Sequence, residues 1–450
     1  MYRKISYRIS FLALISLVVQ LQVVQAFGQR ASRIQNTPEE MSKKPERIRL
    51  ILIQGNEKTR EETILREMKL RQGQPLVLEE LERDRLRIQN LGIFNRVEID
   101  IVPTDAGSIL IVSVSEMWYF FPYPIIFRNE RSWSRLSVGA GLLYNNFRGR
   151  REVIDFSAWL GFNPAARLSY SNPWIFGKAK LYTRVSLFGR RIRNRTFTVQ
   201  DSVVNENQFG FSWTLGKRFG HFTYFDVSIG YRRLTLSDGG QGATLSPSGT
   251  DKLPNVGFSF RYDSRDLWEY PHKGEFVTLW ASKTGFFSDH IDYLRYGADL
   301  RKYIPIGTTT LAFRSAVNLS DGTIPVYDKV HFGFATRIRG HFRKRRTGDN
   351  LLLASAEFRF PIIPISFHDW GPFRGMGQYG SNLRFGVSGG LFIDTGNVWF
   401  QNDDFDTNDF ISGWGAGLHF FLPYNGLIRL EYGFDENWNG QVIVDALVSF

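Results

Sequence analysis

The sequence predicts a 16-stranded antiparallel transmembrane β-barrel preceded by one small α+β domain, and three observations carry this expectation. From Trp118 onward the chain runs in aromatic-rich segments of alternating polarity, about 16 of them between 119–128 and 440–449, separated by short and long connections in turn. After the amino-terminal leader no segment approaches the roughly 18 consecutive apolar residues of a spanning helix, although 43% of residues are hydrophobic and 15% aromatic. The stretch before Trp118 has a different texture and reads as strand-helix-helix-strand-strand.

Residues 1–28 have the pattern of a secretory signal peptide. Arg3, Lys4 and Arg8 precede an apolar run from Ile9 to Val19, and Ala26-Phe-Gly28 offers a small-x-small cleavage site. Gln20, Gln22 and Gln25 interrupt the run and argue against a retained helix. Residues 29–45 are polar, contain Pro38 and Pro45, and read as a linker. The chain has no cysteine, which excludes a disulfide scaffold and lipid attachment through a thiol.

The small domain is expected over 46–117. Arg47 to Gln54 alternates as a strand, Gly55-Asn56 marks a turn, and Thr59-Arg-Glu-Glu62 has the form of a capping box opening a helix. Leu78, Leu81, Ile88 and Leu91 recur at helical spacing with Gly92 after them. Phe94 to Val102 and Ile109 to Glu116 then read as strands. In this order Ile48, Ile51, Gly55, Asn56, Thr59, Gly73, Gly92, Phe94 and Glu116 resemble the pattern of one POTRA domain.

The barrel is expected over 118–450. Leu181, Thr183, Val185 and Leu187 form one largely apolar face and Lys180, Tyr182, Arg184 and Ser186 the other, as lipid on one side and a wet lumen on the other require. Tight connections at Arg148-Gly-Arg150, Phe219-Gly220, Ile306-Gly307 and Pro423-Tyr-Asn-Gly426 are expected on the periplasmic side. The longer ones at 192–205, 236–253, 320–350 and 395–410 are expected outside the cell. The long connection 362–381 falls on the periplasmic side and has no explanation in the sequence. Val442, Val444, Ala446, Val448 and Phe450 form a period-2 face with a terminal aromatic, which resembles the insertion signal of outer-membrane barrels.

Arg339-Gly340, in Ala335-Thr-Arg-Ile-Arg-Gly-His-Phe342, sits deep in the longest of these connections. An arginine enclosed in a lumen needs acidic partners, and period-2 counting puts Glu357 with Arg359 and Phe392 with Asp394 on the polar faces of two later strands. A clasp of Arg339 with Glu357 and Asp394 is therefore expected to fix the loop.

Taken with these residues, Tyr262-Asp263-Ser-Arg265-Asp266, Gly274, Phe392-x-Asp394-x-Gly396 and Gly413-x-Gly-x-Gly417 occur in an order that resembles the BamA/TamA-type superfamily. The resemblance covers nearly all of residues 46–450. It implies a barrel with the Arg-Gly loop folded inside, no cofactor, and assembly, insertion or translocation of other proteins at the bacterial outer membrane. Alternatives are a passive channel and a secretion pore dedicated to one partner. His341 departs from the family pattern, where Phe or Tyr follows Arg-Gly, and brings a group that titrates near pH 6.5 to the loop tip.

The net charge is +12 and the pI about 9.7. Behind a signal peptide this points away from nucleic acid and toward anionic lipid, lipopolysaccharide or simple solvated charge. Arg190, Arg191, Arg193 and Arg195, near the outer end of the fifth barrel strand, are the candidate lipopolysaccharide contacts. Other expected partners are unfolded barrel or secreted clients and accessory periplasmic proteins.

Enzyme and metal signatures are absent from the sequence. None of the seven histidines lies in an H-E-x-x-H pattern, and there is no G-x-S-x-G elbow or phosphate loop. Asp404-x-Asp406-x-Asn408 begins like a calcium loop but has Asp409 and Gly415 where Gly and Glu are required, so no metal is expected.

Overall fold

A computed structural model describes residues 46–128, 133–199, 202–237, 244–286, 290–333, 336–341, 346–370, 377–424 and 426–446. The expected signal peptide, the linker and Phe450 lie outside them.

The amino-terminal domain is a three-stranded sheet with two helices packed on one face. β1 (Ile48–Gln54) pairs in parallel with β3 (Gly107–Glu116), which pairs antiparallel with β2 (Phe94–Thr104). Strict alternation on β3 sends Leu110, Val112 and Val114 inward; Val112 and Val114 meet Ile64 of the helix Glu61–Leu65, Ile88 of the helix Leu78–Gln89 and Met68 between them, and Leu110 packs with Ile48 and Leu70. Gly92 follows the second helix at φ +67°, the left-handed conformation expected of a glycine after a C-cap.

The capping box is not formed. Arg60 is the N-cap of the first helix and makes no side-chain cap. Thr59 is instead buried, its hydroxyl beside the Tyr119 hydroxyl at 3.1 Å and accepting from Asn146 Nδ2 at 2.8 Å. Glu116 accepts from the Lys58 and Thr59 amides. A tertiary carboxylate displaces the local cap because it satisfies two amides at once, that of buried Thr59 and that of Lys58 beside it.

The barrel is a 16-stranded antiparallel sheet. Its strands are β4 (Phe120–Arg128), β5 (Leu136–Phe147), β6 (Glu152–Gly161), β7 (Ala165–Ile175), β8 (Leu181–Val199), β9 (Ser202–Phe219), β10 (Thr223–Leu236), β11 (Thr250–Asp263), β12 (Gly274–Thr284), β13 (Tyr293–Ile306) and β14 (Thr309–Gly322). A two-stranded ribbon, β15 (Val330–His331) with β16 (Thr347–Gly348), interrupts the order. The barrel resumes with β17 (Asn350–His368), β18 (Leu383–Trp399), β19 (Ile411–Leu422), β20 (Gly426–Phe434) and β21 (Gly440–Ala446).

Alternation sets the two faces. On β9, Phe209, Phe211, Trp213 and Leu215 point outward and are exposed, which is stable only against hydrocarbon. Tyr182 of β8 points inward and donates to Asp226 of β10 at 2.7 Å. Among the described residues no helix is long and apolar enough to cross a membrane. The first and last strands, β4 and β21, form the two ends of the sheet order, and among the described residues neither pairs with the other.

The domain docks directly on the short-turn end of the barrel. The Asn146–Arg151 turn enters its surface: the Arg60 amide and the Thr63 hydroxyl both donate to the Gly149 carbonyl, at 3.0 and 2.9 Å. Asn90 takes the Trp268 amide on Oδ1 and donates from Nδ2 to the Asp266 carbonyl. Tyr144 and Tyr424 of the barrel pack against the domain core.

The connection 362–381 finds its reason here. β17 continues to His368, so much of the connection is strand. Beyond it, the Ser381 carbonyl accepts from Asn95, Asn382 accepts from Arg96, and the Tyr379 ring meets Trp118 edge-on with Lys58 over its face. Its length is what reaching the domain requires.

Gly149 has φ +69°, and a Cβ there would lie 2.1 Å from the Lys58 carbonyl oxygen. Gly149→Ala is expected to cost about 1–3 kcal/mol of docking through backbone strain and overlap. Hydrogen exchange at the Arg60 amide in the full chain should then accelerate about tenfold, the factor equivalent to 1.4 kcal/mol, while the domain's inner strand β3 is unchanged.

Candidate functional site: a charged clasp inside the barrel

Strand periodicity places the partners, and glycine makes the room. β17 carries Glu357 and Arg359 inward, β18 carries Phe392 and Asp394 inward, and all four are buried. The loop between β14 and β17 descends into the lumen and brings Arg339 against them. Its Nε and NH2 donate to Asp394 Oδ2 and Oδ1 at 2.7 and 2.8 Å, a bidentate fork, and the Arg339 amide adds a third bond to Asp394 at 3.0 Å. NH1 donates to Glu357 at 2.7 Å and to Glu431 at 3.0 Å. The guanidinium carbon lies 3.7 Å from the Phe392 ring centroid.

Arg359 donates to Glu357 at 2.6 Å, and Arg429 lies 3.3 Å from Glu431. The buried cluster therefore holds three guanidiniums, of Arg339, Arg359 and Arg429, and three carboxylates, of Glu357, Asp394 and Glu431. That balance is what makes so much enclosed charge tolerable.

Gly340 adopts φ +101°, and a Cβ there would lie 2.3 Å from the Phe434 carbonyl oxygen. A Cβ on Gly413 would stand 1.8 Å from the Arg339 carbonyl oxygen, and one on Gly415 would stand 2.8 Å from the Phe392 ring. The glycines of the Gly413-x-Gly-x-Gly417 pattern thus clear a trough on β19 in which loop and ring lie. Gly396 on β18 faces Phe332 and Ile338 of the same loop.

The loop also holds the last strand. Arg337 pairs with Asp445 of β21, and Gln441 of β21 donates to the Gly340 carbonyl. His341 is buried, its Nε2 3.0 Å from the Ser412 carbonyl and 2.8 Å from a Glu436 oxygen, so the ring serves as a hydrogen-bond donor.

Asp263, Arg265, Asp266 and Gly274 are not in this cluster. They build the β11–β12 connection at the domain end: Arg265 forks onto Asp263 at 2.8 Å twice, and Asp266 accepts from the Leu267, His272 and Lys273 amides. Gly274, at φ +111°, lets that connection close on Ser264. The Tyr270 hydroxyl of the same connection bonds His419 Nδ1 at 2.7 Å, and Arg359 stacks over the Tyr270 ring at 4.6 Å. The connection thereby joins the docked domain at Asn90 to the clasp at Arg359.

Glu431, Arg429 and the contacts of Tyr270, itself part of the Tyr270-Pro-His-Lys-Gly274 motif, with the clasp had no place in the sequence-based expectation. The signal for the first two was present, since Leu427-Ile-Arg-Leu-Glu-Tyr-Gly433 puts Arg429 and Glu431 on one face by the same alternation that marks Glu357 and Arg359. Asp406, from the calcium-like stretch, accepts from the Asn408 amide and side chain as a local turn, and among the described residues no group suited to a metal occurs.

The Omp85 superfamily domain model matches residues 146–442, about two thirds of the chain. The chain belongs to the Omp85 superfamily. The POTRA model, described as a surface antigen variable number repeat, matches residues 46–117. An outer membrane protein assembly factor BamA from Nitratidesulfovibrio vulgaris is 21% identical over 396 residues, 80% of this chain and 48% of that protein. The chain thus spans about half the length of this curated relative. Two solved structures share the fold. BamA from Haemophilus ducreyi lacking POTRA domains 1–3 aligns with TM-score 0.52 at 18% identity, covering 90% of this chain and 85% of the other. CdiB from Escherichia coli aligns with TM-score 0.58 at 12% identity, covering 90% and 75%. As an Omp85 barrel the protein resides in the outer membrane with its POTRA domain in the periplasm.

Arg339→Ala would leave Asp394, Glu357 and Glu431 facing one another without their shared cation, a loss of about 3–5 kcal/mol. The temperature at which the folded barrel converts to the unfolded electrophoretic form should drop, and Gly413→Val, which expels the loop while keeping every charge, should drop it similarly. His341→Phe removes the ring's bonds to the Ser412 carbonyl and Glu436, and limited proteolysis should then cut the loop faster than in the parent.

Proposed function

We propose that the protein inserts or translocates β-rich client chains at the outer membrane. The observation that carries this reading is the seam: β4 and β21 are each hydrogen-bonded on one side only among the described residues. An unpaired strand edge is a template for another strand. In this reading residues 118–450 form the barrel, whose seam receives clients, and residues 46–117 form the POTRA domain, whose β2 edge takes extended segments by strand addition. Arg339, Gly340, Glu357 and Asp394 hold the loop that braces β21 from within through Arg337–Asp445 and Gln441. No energy source is required where a client moves from water into a membrane that its outward face fits. Lipid, lipopolysaccharide and accessory periplasmic proteins are the partners this reading implies.

Depletion followed by a census of the outer membrane separates the readings. Assembly predicts unfolded barrel proteins accumulating in the periplasm and loss of many outer-membrane proteins together. Loss of one surface protein would make the chain a dedicated secretion pore, and an unchanged census with steady conductance would make it a channel. Because the chain has no cysteine, Val444→Cys on β21 gives a clean cross-linking probe, and it should capture client strands bearing a single cysteine during their assembly.

A further inference from the structure

Between the second POTRA helix and the inner wall of the barrel lies a cavity of about 1130 Å³. Its chemistry is strongly one-sided. Arg151 from the β5–β6 turn, Arg218 from the end of β9 and Arg261 from β11 line it together with Glu67, and Arg66 stands behind Glu67. Arg218 takes Glu67 at 2.7 Å, and Arg66 approaches the same carboxylate at 3.5 Å. Among the described residues Arg151 and Arg261 form no ion pair. Four guanidiniums thus share one carboxylate, leaving three positive charges uncompensated within the group.

Aromatic rings hold these arginines in place. Arg218 and Arg261 lie 5.6 and 4.4 Å from the Tyr224 ring centroid, Arg151 is 6.0 Å from Trp268 and Arg66 is 5.2 Å from Trp174. A ring face attracts and orients a guanidinium without neutralising it or using its N–H edges. Arg151 donates from Nε to the Leu91 carbonyl at 2.7 Å, whereas the Nε groups of Arg218 and Arg261 are buried and have no acceptor. The field is felt nearby: burial together with the Arg87 and Arg218 guanidiniums pushes His221 down to about 4, and burial pushes Arg66 down to about 10 against the pull of Glu67, with Arg151 and Arg218 adding to the fall. Burial acts to raise the Glu67 carboxyl, yet Arg218 and its neighbours hold it below the usual range.

We propose that this vestibule is a binding site for a phosphate-bearing ligand, with Arg151, Arg218 and Arg261 as its contacts. A tetrahedral phosphate offers several oxygens in different directions and can accept from more than one guanidinium fork, which a single carboxylate with two coplanar oxygens does less well. The other carboxylates of the lining are engaged elsewhere, Asp263 by Arg265, Glu275 by Lys302 and Asp266 by the Leu267, His272 and Lys273 amides, so Glu67 is the one carboxylate that meets these arginines. The cavity is much larger than a free ion, so it also has room for an organic group esterified to the phosphate. The site lies at the domain–barrel junction, apart from the Arg339 clasp and the seam, and does not depend on which clients the protein handles.

The test is calorimetric titration of the full-length protein in a maltoside detergent with inorganic phosphate, with glycerol phosphate and with a glutamate-rich decapeptide. Phosphate probes should bind and the peptide should bind less tightly. Equal affinity for the two phosphates would identify the ligand as the free ion, and tighter binding of glycerol phosphate would identify a headgroup ester. The double variant Arg151→Gln/Arg261→Gln should lose about tenfold or more in affinity, equivalent to 1.4 kcal/mol or more, with heat-modifiable migration verifying a folded barrel. Arg193→Gln, outside the cavity, should bind as the parent does. Equal phosphate binding by parent and double variant, no phosphate binding by the parent, or preference for the acidic peptide would overturn the proposal.

Discussion

A guanidinium taken out of water inside a barrel needs compensation from every side, and the burial of Arg339 organises much of the surrounding structure. Asp394 engages its fork, Glu357 and Glu431 share its remaining nitrogen, and Phe392 lies under its plane. Three carboxylates around one cation would repel each other, so Arg359 and Arg429 complete the balance. Loop backbone then has to approach the wall closely, which Gly413 and Gly415 allow and which Gly340 completes by turning at positive φ. Such a network contributes little net stability once desolvation is subtracted. What it fixes is position, because any other placement of the loop leaves charges enclosed and unpaired.

The same logic operates at the opposite end with neutral groups. The POTRA domain is held on the barrel by backbone carbonyls of turns, at Gly149, Asp266 and Ser381, each met by a donor from the domain. Apolar continuity reinforces the bonds, since Tyr119, Tyr144 and Tyr424 extend the domain core into the barrel rim. The β11–β12 connection joins the two ends: its backbone meets Asn90 and its Tyr270 meets His419 and Arg359. The motif at 262–274 and the motif at 339–340 are thus parts of one connected set of contacts.

Most of the fold was legible because a barrel strand announces itself twice, by alternation and by the turn that ends it. All 16 expected segments correspond to strands, with β8, β11, β17 and β18 longer than the sequence suggested, so that most of the expected connection 192–205 and the start of 395–410 are strand. Glu357 and Asp394 could be aligned with Arg339 because strand counting fixes which face a residue occupies. Glu431 obeys the same rule but was passed over, since nothing in a single sequence says that β20, between β19 and β21, lies in the part of the lumen wall that the loop covers. Thr59 shows the limit from the other direction. Its local pattern spelled a capping box, and two residues far along the chain, Glu116 and Asn146, claimed its amide and hydroxyl. The connection 362–381 was opaque for a related reason, because its length answers to a surface in another domain.

The glycines of β19 have a mechanical meaning beyond making space. Over the stretch 413–417 this strand shows hydrogen atoms alone to the lumen, with no inward side chain between Ile411 and His419 to lock it to its neighbours, and glycine backbone gains the most freedom when released. With the loop seated, Arg339 and Phe392 supply the missing bulk and the wall is stiff. With the loop withdrawn, the row becomes a crease running parallel to the seam and two strands from it. Under the proposed seam mechanism, a sheet that folds along one line beside an unpaired edge swings that edge as a flap, and the loop is the pin that holds it.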